Sequence, residues 1–312
     1  MLISASRRTD IPACFSHWFF RRIEEGYVLV RNPMNPHQVS RVSLSPQDVD
    51  GIMFWTKNPL PMLAAGPGAL KGYMYCFQFT LNAYGEDVEP NIPGKWTAMV
   101  PAFCRLSEQI GPQRVLWRYD PIFLSSAYTP EWHLQNFAAL AKALSPYTCQ
   151  CTISFLDYYR NTAHNMAPLG LQKISQEEKA RLASGLAAIA RQAGLDICAC
   201  AEENLPETCG VGPASCIDSG RFARLLGCAL PVPQDKTQRP GCGCAQSVDI
   251  GAYHTCPNGC LYCYANASAA AAVQNAGLHD FASPLLLGEL GPGDVVTARK
   301  MTVYRQAQMC FE

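Results

Sequence analysis

The run Arg114-Val-Leu-Trp-Arg-Tyr-Asp-Pro121 reads as a short buried strand, Arg114–Trp117, closing on Arg118, Tyr119 and Asp120 before a proline halts it. An upstream stretch follows the same plan: Val49–Thr56 is a buried strand that ends in Lys57-Asn58-Pro59. In both, an aromatic residue is followed by a cation and then by Pro. Further apolar strands are predicted over Leu2–Ser6, Tyr73–Leu81, Thr148–Phe155 and Leu195–Ala201. They alternate with helical segments over His17–Glu25, Thr97–Ile110, Pro130–Leu144 and Gln176–Ala193. Buried strands alternating with helices imply a parallel sheet, and six such units predict an α/β fold, an open or closed TIM-type (β/α) barrel.

Nearly every predicted strand ends in polar residues. Arg7, Arg8, Thr9 and Asp10 follow the first, Gln78 and Thr80 lie late in the third, Ser154 and Asp157 mark the fifth, and Glu202 follows the sixth. Strand ends are polar partly because they approach water, but in a βα barrel they also converge on the face that carries the active site. Lys57, Arg118, Asp120 and Glu202 are therefore candidate cofactor-binding residues, and Arg7, Arg8, Thr9 and Asp10 candidate catalytic or substrate residues. Asp10, just before Ile11-Pro12, could equally cap a turn.

The chain has 312 residues, 48% of them apolar, with 25 cations balanced by 25 anions and 16 cysteines. That is enough to bury a barrel-sized core, and the zero net charge argues against a global attraction to nucleic acid or an anionic membrane. No run of 18 apolar residues is present and the opening Met-Leu-Ile-Ser-Ala-Ser-Arg-Arg is too brief for a signal peptide, so a cytoplasmic location is expected. In that setting many cysteines point to metal rather than disulfides. Cys14, Cys76, Cys104, Cys149, Cys151 and Cys310 are scattered among apolar neighbours and read as small buried hydrophobes.

Cysteine density rises after residue 197. The run Thr255-Cys-Pro-Asn-Gly-Cys-Leu-Tyr-Cys-Tyr-Ala-Asn266 sets Cys256, Cys260 and Cys263 in C-x3-C-x2-C spacing, with Tyr262 before the last. Three thiolates so close can hold three corners of a 4Fe-4S cubane, while Pro257 and Gly259 let the loop wrap it. The fourth iron is then free to chelate a small molecule, which is the arrangement that radical S-adenosylmethionine (radical SAM) enzymes use. A zinc knuckle usually shows paired C-x2-C units instead. Cys200, Cys216, Cys242 and Cys244 form a looser set that matches no fixed motif and is expected to make a second metal site, an auxiliary iron–sulfur cluster or zinc.

The triplet follows Ser247–Gly251 and precedes an alanine-rich helix, Ala265–Asn275, so strand, cysteine loop and helix form the last βα unit rather than the first. First and last strands of a barrel can be neighbours, so the chain is expected to be a circularly permuted radical SAM-like barrel. Residues 1–204 would form the barrel core and 205–312 a cysteine-rich segment that carries the cluster loop and completes it. The alternative is that Val248–Ile250 is only an extended approach and 205–312 a separate lobe.

Ser-Arg-Arg-Thr-Asp-Ile-Pro (6–12), Arg-Asn-Pro (31–33), Phe-Trp-Thr-Lys-Asn-Pro (54–59), Trp-Arg-Tyr-Asp-Pro-Ile (117–122), Ser-Phe-Leu-Asp (154–157), Cys-Ala-Glu (200–202), Cys-Ile-Asp (216–218), Gln-Arg (238–239) and the terminal cysteine run resemble the bacterial family called domain of unknown function 1848. The resemblance spans almost the whole chain but implies no activity. The triplet with its trailing Tyr-Ala-Asn is also similar to that of spore photoproduct lyase, a radical SAM DNA-repair enzyme, over about a dozen residues.

Two functions are expected to compete. One is a radical SAM enzyme that cleaves S-adenosylmethionine to a 5′-deoxyadenosyl radical acting on a small-molecule or unknown substrate, fed by an electron donor such as a flavodoxin or ferredoxin. The other is a non-catalytic iron–sulfur or zinc protein whose barrel rim binds a metabolite or nucleic acid.

Overall fold

The computed structural model describes residues 1–157, 160–202, 204–205 and 207–306. Strand β1 (Leu2–Ala5) leads through helices α1 (Ile11–Cys14) and α2 (Ser16–Glu25) to a hairpin of β2 (Tyr27–Asn32) and β3 (Asn35–Ser43). Then follow β4 (Gly51–Thr56), α3 (Leu60–Ala65), β5 (Tyr75–Thr80), α4 (Val100–Ile110), β6 (Val115–Ile122) and α5 (Pro130–Leu144). After them come β7 (Gln150–Phe155), α6 (Arg160–Met166), α7 (Gln176–Gln192) and β8 (Asp196–Ala199). The last elements are β9 (Gly212–Pro213), α8 (Ser219–Leu226), β10 (Ser247–Asp249), α9 (Ala269–Gly277) and β11 (Val295–Ala298).

Eight strands form one parallel sheet in the order β10-β1-β4-β5-β6-β7-β8-β9. Of the open or closed barrel expected, the closed form is corrected: the sheet is open, with β10 and β9 as its edges, and no ladder joins them among the described residues. β9 is only two residues long, and Pro213 has no N–H with which to carry a ladder onward. The other half of that expectation holds, because β10 is a true strand paired with β1 through Leu2–Ser247, Ile3–Val248 and Ser4–Asp249. Residues beyond 204 thus supply both edge strands of the sheet. The β2–β3 hairpin, which the sequence reading did not anticipate, joins β11 in a separate three-stranded sheet.

Alternation along the strands divides the core. Ile3, Ile52, Phe54, Phe77, Phe79, Val115, Trp117 and Ile153 belong to the large core that the helices cover. Into it α2 packs Phe19 edge-on against Phe54 at 5.1 Å, and α7, started by a Ser175/Glu178 capping box, inserts Leu182 and Leu186. Each such leucine contributes roughly 2 kcal/mol. On the opposite face Leu2, Met53, Cys76 and Leu116 pack with Ile217 and with Phe222 of α8. Further along the same strands that face turns polar, with Ser4, Trp55, Gln78 and Arg118, which places polar groups at the carboxyl end of the sheet. No helix among the described residues is long and apolar enough to cross a membrane.

Candidate functional site

The loop after β10 is laced to the loop after β1. The Asp249 carboxylate accepts hydrogen bonds from Ser4 Oγ (2.7 Å), Ser6 Oγ (2.6 Å), the Arg7 N–H (2.8 Å) and the Gly251 N–H (3.0 Å). A Cβ on Gly251 would lie 2.1 Å from Ser6 Oγ, so only glycine fits there. Beyond it the cysteine loop is pinned from several sides. Asn91 Nδ2 donates to the Pro257 carbonyl (2.8 Å), the Leu261 N–H to the Val88 carbonyl (3.0 Å), and Asn258 Nδ2 to Asp10 (3.2 Å). Gly259 turns the loop with φ of 71°.

Cys256, Cys260 and Cys263 lie partly exposed on this loop, each within electrostatic reach of another. A hydrogen bond with Cys14, together with burial, pushes the Cys256 thiol well up; burial does the same to Cys260 and takes Cys263 up to about 11. Cys14 is therefore not an inert filler, since it contacts a triplet sulfur. Without a cation the three thiols stay protonated at neutral pH, and a metal cluster would deprotonate them, the chemistry a thiolate donor set needs. Among the described residues, no set of three or more His, Cys, Asp or Glu side chains is arranged around the position of a single metal ion.

Behind the loop lies a buried charge network. Lys57, at the end of β4, pairs with Glu89 at 2.8 Å; Lys95 pairs with the same carboxylate, and Tyr262 donates its hydroxyl to it. Burial works to raise the Glu89 carboxyl, but the Lys57 and Lys95 ammoniums outweigh it and hold Glu89 down to about 2. The Lys57 ammonium lies 5.1 Å from the centre of the Tyr262 ring, and Asn82 Nδ2 reaches both the Asp120 carbonyl (2.8 Å) and Tyr262 (3.3 Å). Asp10 caps α1 through the Ala13 N–H (3.0 Å) and also accepts the Lys57 N–H (2.8 Å); burial raises it to about 6. That placement matches the capping reading of Asp10.

On the polar face of the sheet Arg118 forms an ion pair with Asp120, donates to Cys216 Sγ (2.9 Å) and lies 5.3 Å from the Trp55 ring. Asp120 also accepts the Ser154 hydroxyl. Cys216 and Cys200 bring their sulfurs to 3.4 Å, Cys244 hydrogen-bonds Cys216, and Cys242 lies within electrostatic reach of Cys244. Hydrogen bonds from Cys200 and Cys244, with Arg118 beside them, hold the Cys216 thiol well below its usual range despite burial. Arg239 bridges Asp157 to the Cys200 carbonyl (3.0 Å). Glu202 accepts the Phe155 N–H (2.8 Å), pairs with Lys179 (3.4 Å) and is raised by burial.

Lys57, Arg118 and Glu202 all feel the charge of Asp120, so the four expected cofactor-binding residues do gather, each already in a pair. Arg7 Nη2 donates to Ser247 (3.0 Å), Arg8 sits 5.2 Å from the Tyr253 ring, and Thr9 Oγ1 is buried without a partner among the described residues. Glu89, Lys95 and Asp249 were not singled out from sequence. Glu89 falls in irregular chain and Lys95 opens the short π-helical turn Lys95–Met99 ahead of α4, where no periodicity marks either, and Asp249 was visible only as part of the Asp-Ile-Gly approach.

No curated protein and no solved structure gives a significant match to the chain. The sequence model of one family matches residues 2–265, most of the length and all three cysteines of the loop. The chain belongs to that family, described as a domain of unknown function, DUF1848.

Proposed function

We propose that the protein is a radical SAM-type iron–sulfur enzyme on an open, permuted (β/α) barrel, working in the reducing cytoplasm. The observation that carries the reading is the Cys256–Cys263 loop, which leaves the strand beside β1 at the carboxyl edge of a parallel sheet. Cys256, Cys260 and Cys263 would hold three irons; a cubane spreads its cysteine ligands over separate corners, wider than the ligands of one ion. Bound there, a 4Fe-4S cluster supplies one electron and an open iron for S-adenosylmethionine, the chemistry that releases a 5′-deoxyadenosyl radical. The chain's own residues bind and orient. Lys57 places a fixed positive charge beside Cys260, which offsets the negative charge of a thiolate-bound cluster. Arg118, Asp120 and Glu202 offer cation and acceptors for the carboxylate, amine and ribose hydroxyls of S-adenosylmethionine. An external one-electron donor of flavodoxin or ferredoxin type completes the system.

Cys200, Cys216, Cys242 and Cys244 are proposed as a second, thiolate-rich metal site, holding an auxiliary cluster or zinc; the 3.4 Å contact of Cys200 with Cys216 supports it. The rival reading is a non-catalytic metal protein, favoured by the fact that Lys57, Arg118 and Glu202 already have carboxylate or ammonium partners. Anaerobic reconstitution with iron and sulfide, followed by dithionite and S-adenosylmethionine, separates the two. 5′-Deoxyadenosine and methionine are expected as products. Stoichiometric zinc without labile sulfide would falsify the cluster, and a cluster that never cleaves S-adenosylmethionine would leave the rival reading.

A further inference from the structure

A cavity of about 430 Å³ opens between the loop after β1, the β2–β3 hairpin and the two ends of the cysteine loop. Its walls carry Arg7, Arg8, Arg31 and Arg299 against Asp235 and Asp249. Not all of these charges are available. Arg31 is spent on Asp294 (2.8 Å) and the Glu289 carbonyl (2.9 Å). Asp249 is saturated by two serine hydroxyls and two backbone N–H groups, as described above. Asp235 accepts the Thr237 N–H (3.0 Å), the Thr237 hydroxyl (2.6 Å) and Gln238 Nε2 (2.9 Å). The arginines that remain are less committed. Among the described residues Arg7 and Arg299 form no ion pair, and Arg8 reaches Asp249 only at 3.9 Å. Arg7 Nε is buried with no acceptor. The cavity therefore presents an excess of guanidinium to a pocket large enough for a metabolite.

Aromatic surface borders the same cavity. Tyr253 and Tyr264 line it and are 38% and 51% exposed. Tyr264 is fixed by its hydroxyl, which donates to the Arg7 carbonyl (2.8 Å), and it directly follows Cys263.

We propose that this cavity binds a phosphate ester of about mononucleotide size, with Arg7, Arg8 and Arg299 on the phosphate and the two tyrosine rings beside the organic part. Guanidinium forks match phosphate oxygens, and exposed rings accept a flat base or sugar edge. The assignment does not rest on the cluster: it needs only the folded chain, and it stands or falls independently of S-adenosylmethionine cleavage.

The test is calorimetric titration of the full chain as purified with adenosine 5′-monophosphate, inorganic pyrophosphate and adenosine. The monophosphate and pyrophosphate are expected to bind, and adenosine at least about tenfold more weakly than the monophosphate. Arg299→Glu changes an exposed side chain with no folding role and is expected to weaken both anions by about ten- to a hundredfold. Arg8→Gln should act in the same direction, with circular dichroism confirming its fold. Three outcomes would overturn the proposal: no binding of either anion, binding unchanged in Arg299→Glu and Arg8→Gln, or binding of S-adenosylhomocysteine alone that these variants abolish.

Discussion

The two cysteine-rich regions are built in opposite ways. The triplet is local: eight consecutive residues carry it, and its loop is held from outside by donating to Asp10 and the Val88 carbonyl and by accepting from Asn91. The second set is tertiary: Cys200, Cys216 and Cys244 come from three separate segments and meet over Arg118, inside the packing of Leu2, Met53, Leu116 and Phe222. A local thiol set can be removed with the scaffold left standing, whereas a tertiary one is part of the scaffold.

The sharpest test of that contrast is Arg118→Ala, which should lower the unfolding free energy by about 2–4 kcal/mol in urea titration, because it takes the cation from buried Cys216 and half-buried Asp120. Arg118→Ala with Asp120→Asn should recover part of the loss. A change under about 1 kcal/mol would show that the second set lies outside the scaffold.

Glu89→Gln comes next, at about 3 kcal/mol near neutral pH, since it leaves Lys57 and Lys95 facing each other. Its pH dependence has a defined sign. Glu89 falls from 4.5 unfolded to about 2 folded, so its contribution is present above pH 4.5 and is lost as pH drops toward 2. Asp10 runs the other way: raised from 3.8 to about 6, it favours the folded state below pH 4 and loses that contribution as pH rises through 6. Acid unfolding should therefore steepen only below pH 4.5, and Glu89→Gln should flatten that limb. An unchanged limb assigns acid unfolding to other carboxylates.

Replacing Cys256, Cys260 and Cys263 with Ala should cost the metal-free chain less than about 1 kcal/mol per site while abolishing the iron and sulfide binding proposed for this loop. Loss of soluble fold in that variant would erase the distinction between the two regions.

The smallest effect is expected from Cys14→Ala. Removing its hydrogen bond should lower the Cys256 thiol and raise the iodoacetamide rate at Cys256 roughly two- to fivefold in the metal-free chain. Identical rates, read by mass spectrometry, would remove Cys14 from the site.

What could be read in the sequence follows the same division. The Trp-Thr-Lys-Asn-Pro and Trp-Arg-Tyr-Asp-Pro corners marked β4 and β6 because a buried strand, a charge and a proline leave a contiguous trace. The order strand, cysteine loop, helix also placed β10 beside β1. Whether the sheet is open or closed was not legible, because it depends on how short β9 is beside Pro213, a matter of pairing rather than pattern. The hairpin escaped because Asn35–Gln38 are exposed and polar, without the alternation that flags a half-buried strand. Cys14 looked like filler since its partner lies far along the chain, and Glu89 gains its role from two lysines that no spacing rule connects.

The β1–β10 pairing also sets an order of events in time. Ser4 and Asp249 are 245 residues apart, so the contacts that seat the cysteine loop form only after the intervening strands have been made. Until then β1 keeps one edge bare, and Asp249 lacks the three donors that Ser4, Ser6 and Arg7 supply. If the proposed cluster is bound, its insertion would come last: inserted earlier it would meet three cysteines with no Asp10, Asn91 or Val88 to hold their loop, and without iron the chain would be folded and empty rather than unfolded.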